Sequence, residues 1–184
     1  PLAECLSVEA MCELVNDALS TLGCASETTH VVAYSMGARI ALMLGTSADA
    51  LDPKSIVSIG GSPGLRDEET RAARARRDDE MAEALRKGDV AAFSSAWYRQ
   101  GLFASLAAHP RFGGVDGLAA RRASTVGSVD ALAECLSAAS PGRQPDTVWG
   151  AMDKLRGNTL LIVGERDVKF KALSTKMRQA MGED

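Results

Sequence analysis

Apolar positions along the chain change their period several times, and each change predicts an element. Ser7 is a helix N-cap with Glu9 in the first turn, and Met11, Leu14, Val15, Ala18 and Leu22 follow at helical spacing until Gly23 stops the run. That helix is expected to pack on a sheet. A short apolar run, Val31-Val32-Ala33, reads as a strand, and Met36, Ile40, Met43 and Leu44 then return to helical spacing, ending near Gly45. Ser55 to Ile59 reads as a second buried strand, closed by the backbone-exposing loop Gly60-Gly61-Ser62-Pro63-Gly64. From about Asp67 to Arg156 no strand pattern occurs. Asp67, Glu68 and Glu69 open a helix that Arg86 and Lys87 close before Gly88, with charges suited to its dipole. A second helical piece holds Phe93, Trp97, Phe103 and Leu106, and a third runs over about 129–137. Thr159 to Val163 returns to an apolar β run, followed by Gly164-Glu165-Arg166-Asp167.

Strand, helix, strand, a long helical insertion and a further strand predict an α/β chain with a mostly parallel sheet. The expected divisions are a partial core over 1–66, an all-helical cap over 67–156 and a return to the core over 157–184. The first strand-to-helix junction, Ala33-Tyr34-Ser35-Met36-Gly37, carries the most chemistry. It matches the nucleophile elbow G-x-S-x-G with Ala33 in the first small position. Such a turn strains the serine backbone, lifts its hydroxyl above the sheet and aims the next amide, that of Met36, at developing negative charge. The bland alternative is an ordinary Ser-Met-Gly turn in which Ser35 only caps a helix. Gly37 provides the small residue that close strand–helix approach needs; the methyl of Ala33 meets the need less well.

Composition narrows the field without deciding it. The 184 residues suit one domain, and 46% hydrophobic with 24% charged residues is ordinary for a folded chain. A net charge of −3 gives no reason to expect a nucleic-acid partner. No apolar run reaches membrane-span length, and no signal peptide is visible. Cys5, Cys12, Cys24 and Cys135 lack metal-binding spacing and read as reduced, mostly buried residues, so a reducing compartment is expected.

Five stretches in order carry a resemblance: Ala33 to Arg39; Gly61-Ser62-Pro63-Gly64-Leu65; Trp97-Tyr98-Arg99-Gln100 with Phe103-Ala104-Ser105-Leu106; Gln144-Pro145-Asp146; and Gly164 to Leu173. Together they resemble the 2-succinyl-6-hydroxy-2,4-cyclohexadiene-1-carboxylate (SHCHC) synthases, α/β-hydrolase-fold lyases of menaquinone and phylloquinone biosynthesis. The resemblance runs from about residue 28 to the last helix and implies a partial α/β-hydrolase fold with a helical cap. It also implies that Ser35 is the catalytic serine, Asp167 the triad acid and the Met36 amide an oxyanion donor. The serine would act as a base, and pyruvate would leave the substrate by elimination. Tyr34, Arg39, Arg74, Trp97 and Arg122 match substrate-binding positions, guanidinium being suited to a small-molecule polycarboxylate. Without the resemblance, Arg71, Arg74, Arg76 and Arg77 read as a solvated helix face, and Trp97 as cap core. No metal or organic cofactor is implied.

Two departures stand out. Ser62 occupies a position where the family has His. The triad His, expected after Asp167, is absent from the chain, as is the early His-Gly-x-x-Gly oxyanion loop. His30 and His109 do not fall where the fold needs a base. The 184-residue chain alone is therefore expected to be inactive or nearly so. Plant-type relatives carry this enzyme as the last module of a fused polypeptide, which makes other quinone-pathway modules possible partners and places the parent in cytoplasm or plastid stroma. The alternatives are an esterase or thioesterase that forms an acyl intermediate on Ser35, or a non-catalytic remnant.

Overall fold

The computed structural model describes residues 7–112 and 114–182, so Pro1 to Leu6, with Cys5, lie outside the described residues. Chain order is α1 (Val8–Thr21), β1 (His30–Tyr34), α2 (Met36–Thr46), β2 (Ser55–Ile59), α3 (Glu68–Lys87), α4 (Val90–Tyr98), α5 (Ala104–Ala107), α6 (Val115–Thr125), α7 (Val129–Ala138), α8 (Thr147–Gly150), β3 (Thr159–Ile162) and α9 (Val168–Ala180). Short 3-10 turns occupy Gly101–Phe103 and Met152–Leu155. The three strands form one parallel sheet in the order β1-β2-β3. Parallel pairing requires a crossover between neighbours, and α2 supplies the first of them. The second consists of everything from α3 to α8.

Register decides which side chains share a face. Val31 pairs with Ile56, Ala33 with Ser58, and Ser58 with Leu161; these point toward the helices. Helix α2 lies on that face with Ala41, Leu42, Met43 and Leu44 buried. Each such large side chain contributes about 1.5–3 kcal/mol when fully removed from water. Met177 and Met181 close the same core. Approach between α2 and β2 is tight: a Cβ at Gly45 would stand 2.6 Å from Ile56 Cδ1 and 2.8 Å from Leu155 Cδ2. The opposite sheet face carries Val32, Tyr34, Leu160 and Ile162 in the open, with Val57 and Ile59 half-buried between them.

Helix α1 departs from expectation. Ser7 caps it, accepting from the Ala10 N–H at 3.1 Å, but the buried residues are Val8 and Cys12, with Met11 and Leu19 beside them. Leu14 and Leu22 face water at 52% and 76% exposure. The helix packs chiefly on α2 rather than directly on the sheet, and that contact selects its inward stripe. The expected second helical piece is also interrupted: α4 ends at Tyr98, and the chain makes a 3-10 turn before α5.

A second, smaller core lies away from the sheet. Ala82 and Leu85 of α3, Val90 of α4 and Ala133 of α7 are buried there, with Phe93, Ala123, Leu132 and Leu136 packed around them. No helix among the described residues is long and apolar enough to cross a membrane.

Candidate active site at the strand–helix turn

Strand β1 ends at Tyr34 and α2 begins at Met36, so the whole reversal falls on Ser35. Its backbone adopts φ 54°, ψ −115°, and among the described residues it is the one non-glycine with positive φ. That conformation costs about 1–3 kcal/mol and persists only where its surroundings hold it. The hydroxyl is exposed, caps no helix amide and has no hydrogen-bond partner among the described residues. Ser35 therefore does not act as the side-chain cap that the bland reading required. The crowding expected from Ala33 is absent: a Cβ on Gly37 would stand 4.0 Å from the Ala33 methyl, an ordinary contact. The closest approach lies instead at Gly61, where a Cβ would overlap Ser58 Oγ and stand 2.8 Å from Ala38 Cβ.

All three strands are parallel, so their C-terminal ends share one rim. Ser35 follows β1 at that rim, Gly60 to Gly64 follow β2, and Gly164 to Asp167 follow β3. Asp167 caps α9, its Oδ1 accepting from the Phe170 N–H at 3.0 Å. Met36 opens α2, whose N-terminal amides carry partial positive charge. Tyr34 is 70% exposed on the uncovered sheet face.

Arg39 lies one turn into α2 and is buried. Its Nε donates to Gln144 Oε1 at 2.7 Å and its Nη1 to the Ala139 carbonyl at 2.9 Å. Burial, then repulsion from Arg74, pulls its pKa down to about 10. Arg74 on α3 holds Asp78 through Nε at 2.8 and 3.0 Å, and Ser140 Oγ donates to the same carboxylate at 2.6 Å. Arg71 on the same helix donates to the Gln144 carbonyl at 3.1 Å. The arginine face of α3 is thus divided: Arg71 and Arg74 turn inward, while Arg76 and Arg77 are exposed.

Two further expected residues lie on α4 and α6. Trp97 stacks on Phe93 with ring centroids 6.2 Å apart. Arg122 is exposed in the last turn of α6. Ser62 donates nothing to this region; its Oγ accepts from the Gly64 N–H at 3.2 Å. Gln144, Arg71 and Asp78 were missed as candidates. Gln144 lay within a motif already singled out, but only its distant contact with Arg39 reveals its place.

Both histidines sit elsewhere. His30 begins β1, four strand steps or about 13 Å from its far end. Its Nδ1 lies 2.7 Å from Ser55 Oγ. His109 follows α5, where its Nδ1 accepts from the Arg111 N–H at 3.2 Å. An open depression of about 440 Å³ lined by Glu27, Asp52, Lys54 and Asn158 also lies at that opposite, N-terminal rim. No group of three or more potential metal ligands occurs among the described residues.

Comparison with known proteins agrees with this architecture. The structure of MenH from S. aureus superposes with a TM-score of 0.81 at 22% identity, covering 95% of this chain and 63% of that one. A carboxylesterase structure from Nitrososphaera gargenis gives 0.65 at 17% identity, covering 96% and 61%. The chain has the α/β-hydrolase fold, in part. Its sequence is 36% identical over 150 residues to the SHCHC synthase of Enterobacter sp. (strain 638), covering 80% of this chain and 54% of that protein. It is 38% identical over 151 residues to Protein PHYLLO, chloroplastic, of Arabidopsis thaliana, covering 82% of this chain and 8% of that protein. This α/β-hydrolase chain is a homologue of the SHCHC synthases and spans about half the length of those it matches. No family model matches it.

Proposed function

We propose that this chain carries the elbow serine, the acid loop and the helical cap of an SHCHC-synthase-type lyase. The observation that carries the reading is the strained, exposed Ser35 at the same sheet rim as the Asp167 loop. In the proposed reaction a base removes a proton from the ring of 2-succinyl-5-enolpyruvyl-6-hydroxy-3-cyclohexene-1-carboxylate. The electrons left behind expel the enolpyruvyl oxygen, and pyruvate is released. Ser35 Oγ is that base, Asp167 orients the imidazole that takes the serine proton, and the Met36 amide at the head of α2 steadies negative charge on oxygen. Arg39, Arg74 and Arg122 supply cations for the substrate carboxylates, with Tyr34 and Trp97 lining the pocket. The stretch 67–156 forms the roof between the core pieces 1–66 and 157–184. Cytoplasm or plastid stroma is the proposed setting, and fused quinone-pathway modules are the proposed partners.

The Ser35 hydroxyl bonds to neither histidine of this chain, and His30 begins β1 at the end opposite Ser35. A missing triad member removes several orders of magnitude of rate. Pyruvate release, followed with a coupled dehydrogenase, should therefore stay at background for the chain alone. It should rise when free imidazole is added, and Ser35→Ala should abolish the rise. A covalent acyl adduct on Ser35 with no release of pyruvate would replace the lyase reading with esterase chemistry.

A further inference from the structure

Four buried side-chain polar atoms lack a hydrogen-bond partner among the described residues: Arg39 Nη2, Arg71 Nε, Gln144 Nε2 and Ser58 Oγ. Three of them belong to side chains tied to one another. Arg39 Nε donates to Gln144 Oε1, and Arg71 Nη2 donates to the carbonyl of the same glutamine. Buried donors are rarely left open, so three on one linked group call for an explanation.

Guanidinium geometry supplies one for two of them, Arg39 Nη2 and Gln144 Nε2. Nε and Nη2 lie on the same edge of the fork, and a carboxylate there would satisfy both at once. Gln144 offers its oxygen to Nε, and its own Nε2 donor and Arg39 Nη2 are both left without a partner. Two donors on side chains bonded to one another are both satisfied only by an acceptor that neither residue possesses. Nor does the protein provide one: Arg39 forms no ion pair among the described residues, and Asp78 is taken by Arg74 and Ser140.

Gln144 is itself fixed on several sides. Its backbone N–H donates to the Ser140 carbonyl at 3.2 Å, and its side chain lies so close to Gly64 that a Cβ there would stand 3.4 Å from Nε2. Gly142, two residues earlier, packs directly on the α3 backbone at Arg71 and Ala75. A side chain held this firmly fixes the cation bonded to it.

We propose that Gln144 is a positioning residue, which turns the Arg39 guanidinium so that its open edge, together with Gln144 Nε2, receives one carboxylate of a bound ligand. This rests on the reading of the ligand as a polycarboxylate. It adds that the carboxylate seat is set by an uncharged amide rather than by a counter-ion.

Succinate is the probe, and the side-chain Nε–H resonance of Arg39, identified by its loss in Arg39→Lys, is the readout. Succinate should shift that resonance saturably in the unaltered chain. Gln144→Glu should keep the resonance protected from exchange but weaken the succinate response at least about tenfold, because its carboxylate closes the open edge. Gln144→Leu should lose the protection and the response together. The proposal is overturned if Gln144→Glu answers succinate as the unaltered chain does. It is equally overturned if Gln144→Leu retains the response, or if succinate never moves the Arg39 signal. Should the leucine variant fail to fold, the glutamate variant decides alone. The lyase reading is judged separately, by pyruvate release, so the two can fail independently.

Discussion

Ser35 donates its backbone N–H to the carbonyl of Ile59 at 2.9 Å, one step beyond the last register pair, Tyr34 with Ile59. The chain is therefore clamped to β2 at the very residue where it turns into α2. Arg39 N–H in turn donates to the Ser35 carbonyl at 3.2 Å, starting the helix without delay. Held from both sides, the backbone at Ser35 has no route to a relaxed conformation.

Replacing Ser35 by glycine should relieve that strain. Glycine adopts positive φ without a side-chain clash, so Ser35→Gly is expected to raise stability by about 1 kcal/mol, after allowing for its greater freedom when unfolded. Urea unfolding of the two chains measures this. A lower midpoint for the glycine variant would mean that the turn stores no strain.

Arg74 and Asp78 should respond unequally to truncation. The Asp78 side chain is 3% exposed while that of Arg74 is 37% exposed. Arg74→Ala leaves a buried carboxylate with only Ser140 Oγ for company, an expected loss of about 3–5 kcal/mol. Asp78→Ala leaves a guanidinium that can turn to water and one unsatisfied hydroxyl, about 1–3 kcal/mol. Equal losses in denaturant titrations would contradict this account of the pair.

Acid should loosen the contact between α3 and α7 through Asp79. Its hydrogen bond from Arg143, then that from Ser137, holds its pKa below the ordinary carboxylate value. A carboxylate with a depressed folded pKa contributes stability that is complete above its unfolded pKa, near 4, and is lost as pH falls through the lower folded value. The side chain is 43% exposed, so solvent screens much of the effect. Asp79→Asn should flatten the acid limb of the stability–pH curve below about pH 4 while leaving its shape at neutral pH unaltered. An unchanged acid limb would show that the carboxylate titrates without reference to folding.

What could be read in advance was local. β2 and the ends of α3 fall where the pattern placed them, because period, caps and terminal charges act within a few residues. The inward stripe of α1 could not be read that way. Leu14 and Val8 are equally apolar in the sequence, and only the position of α2 decides between them. The break at Gly101 interrupts a run whose apolar spacing continues through it. At the candidate site, Ser35 announced itself through the turn chemistry of its neighbours. Gln144 resembled an ordinary loop residue, because its bond to Arg39 spans 105 positions.

The side of the sheet left open among the described residues bears on how this 184-residue chain should be handled. Val32, Val57 and Leu160 form one row, and Tyr34, Ile59 and Ile162 the next, giving an oily grid on a properly folded chain. Dyes that brighten in apolar surroundings commonly serve as a sign of loosened, half-melted protein. Here the intact fold already offers them a landing place, so a bright signal on its own does not diagnose melting.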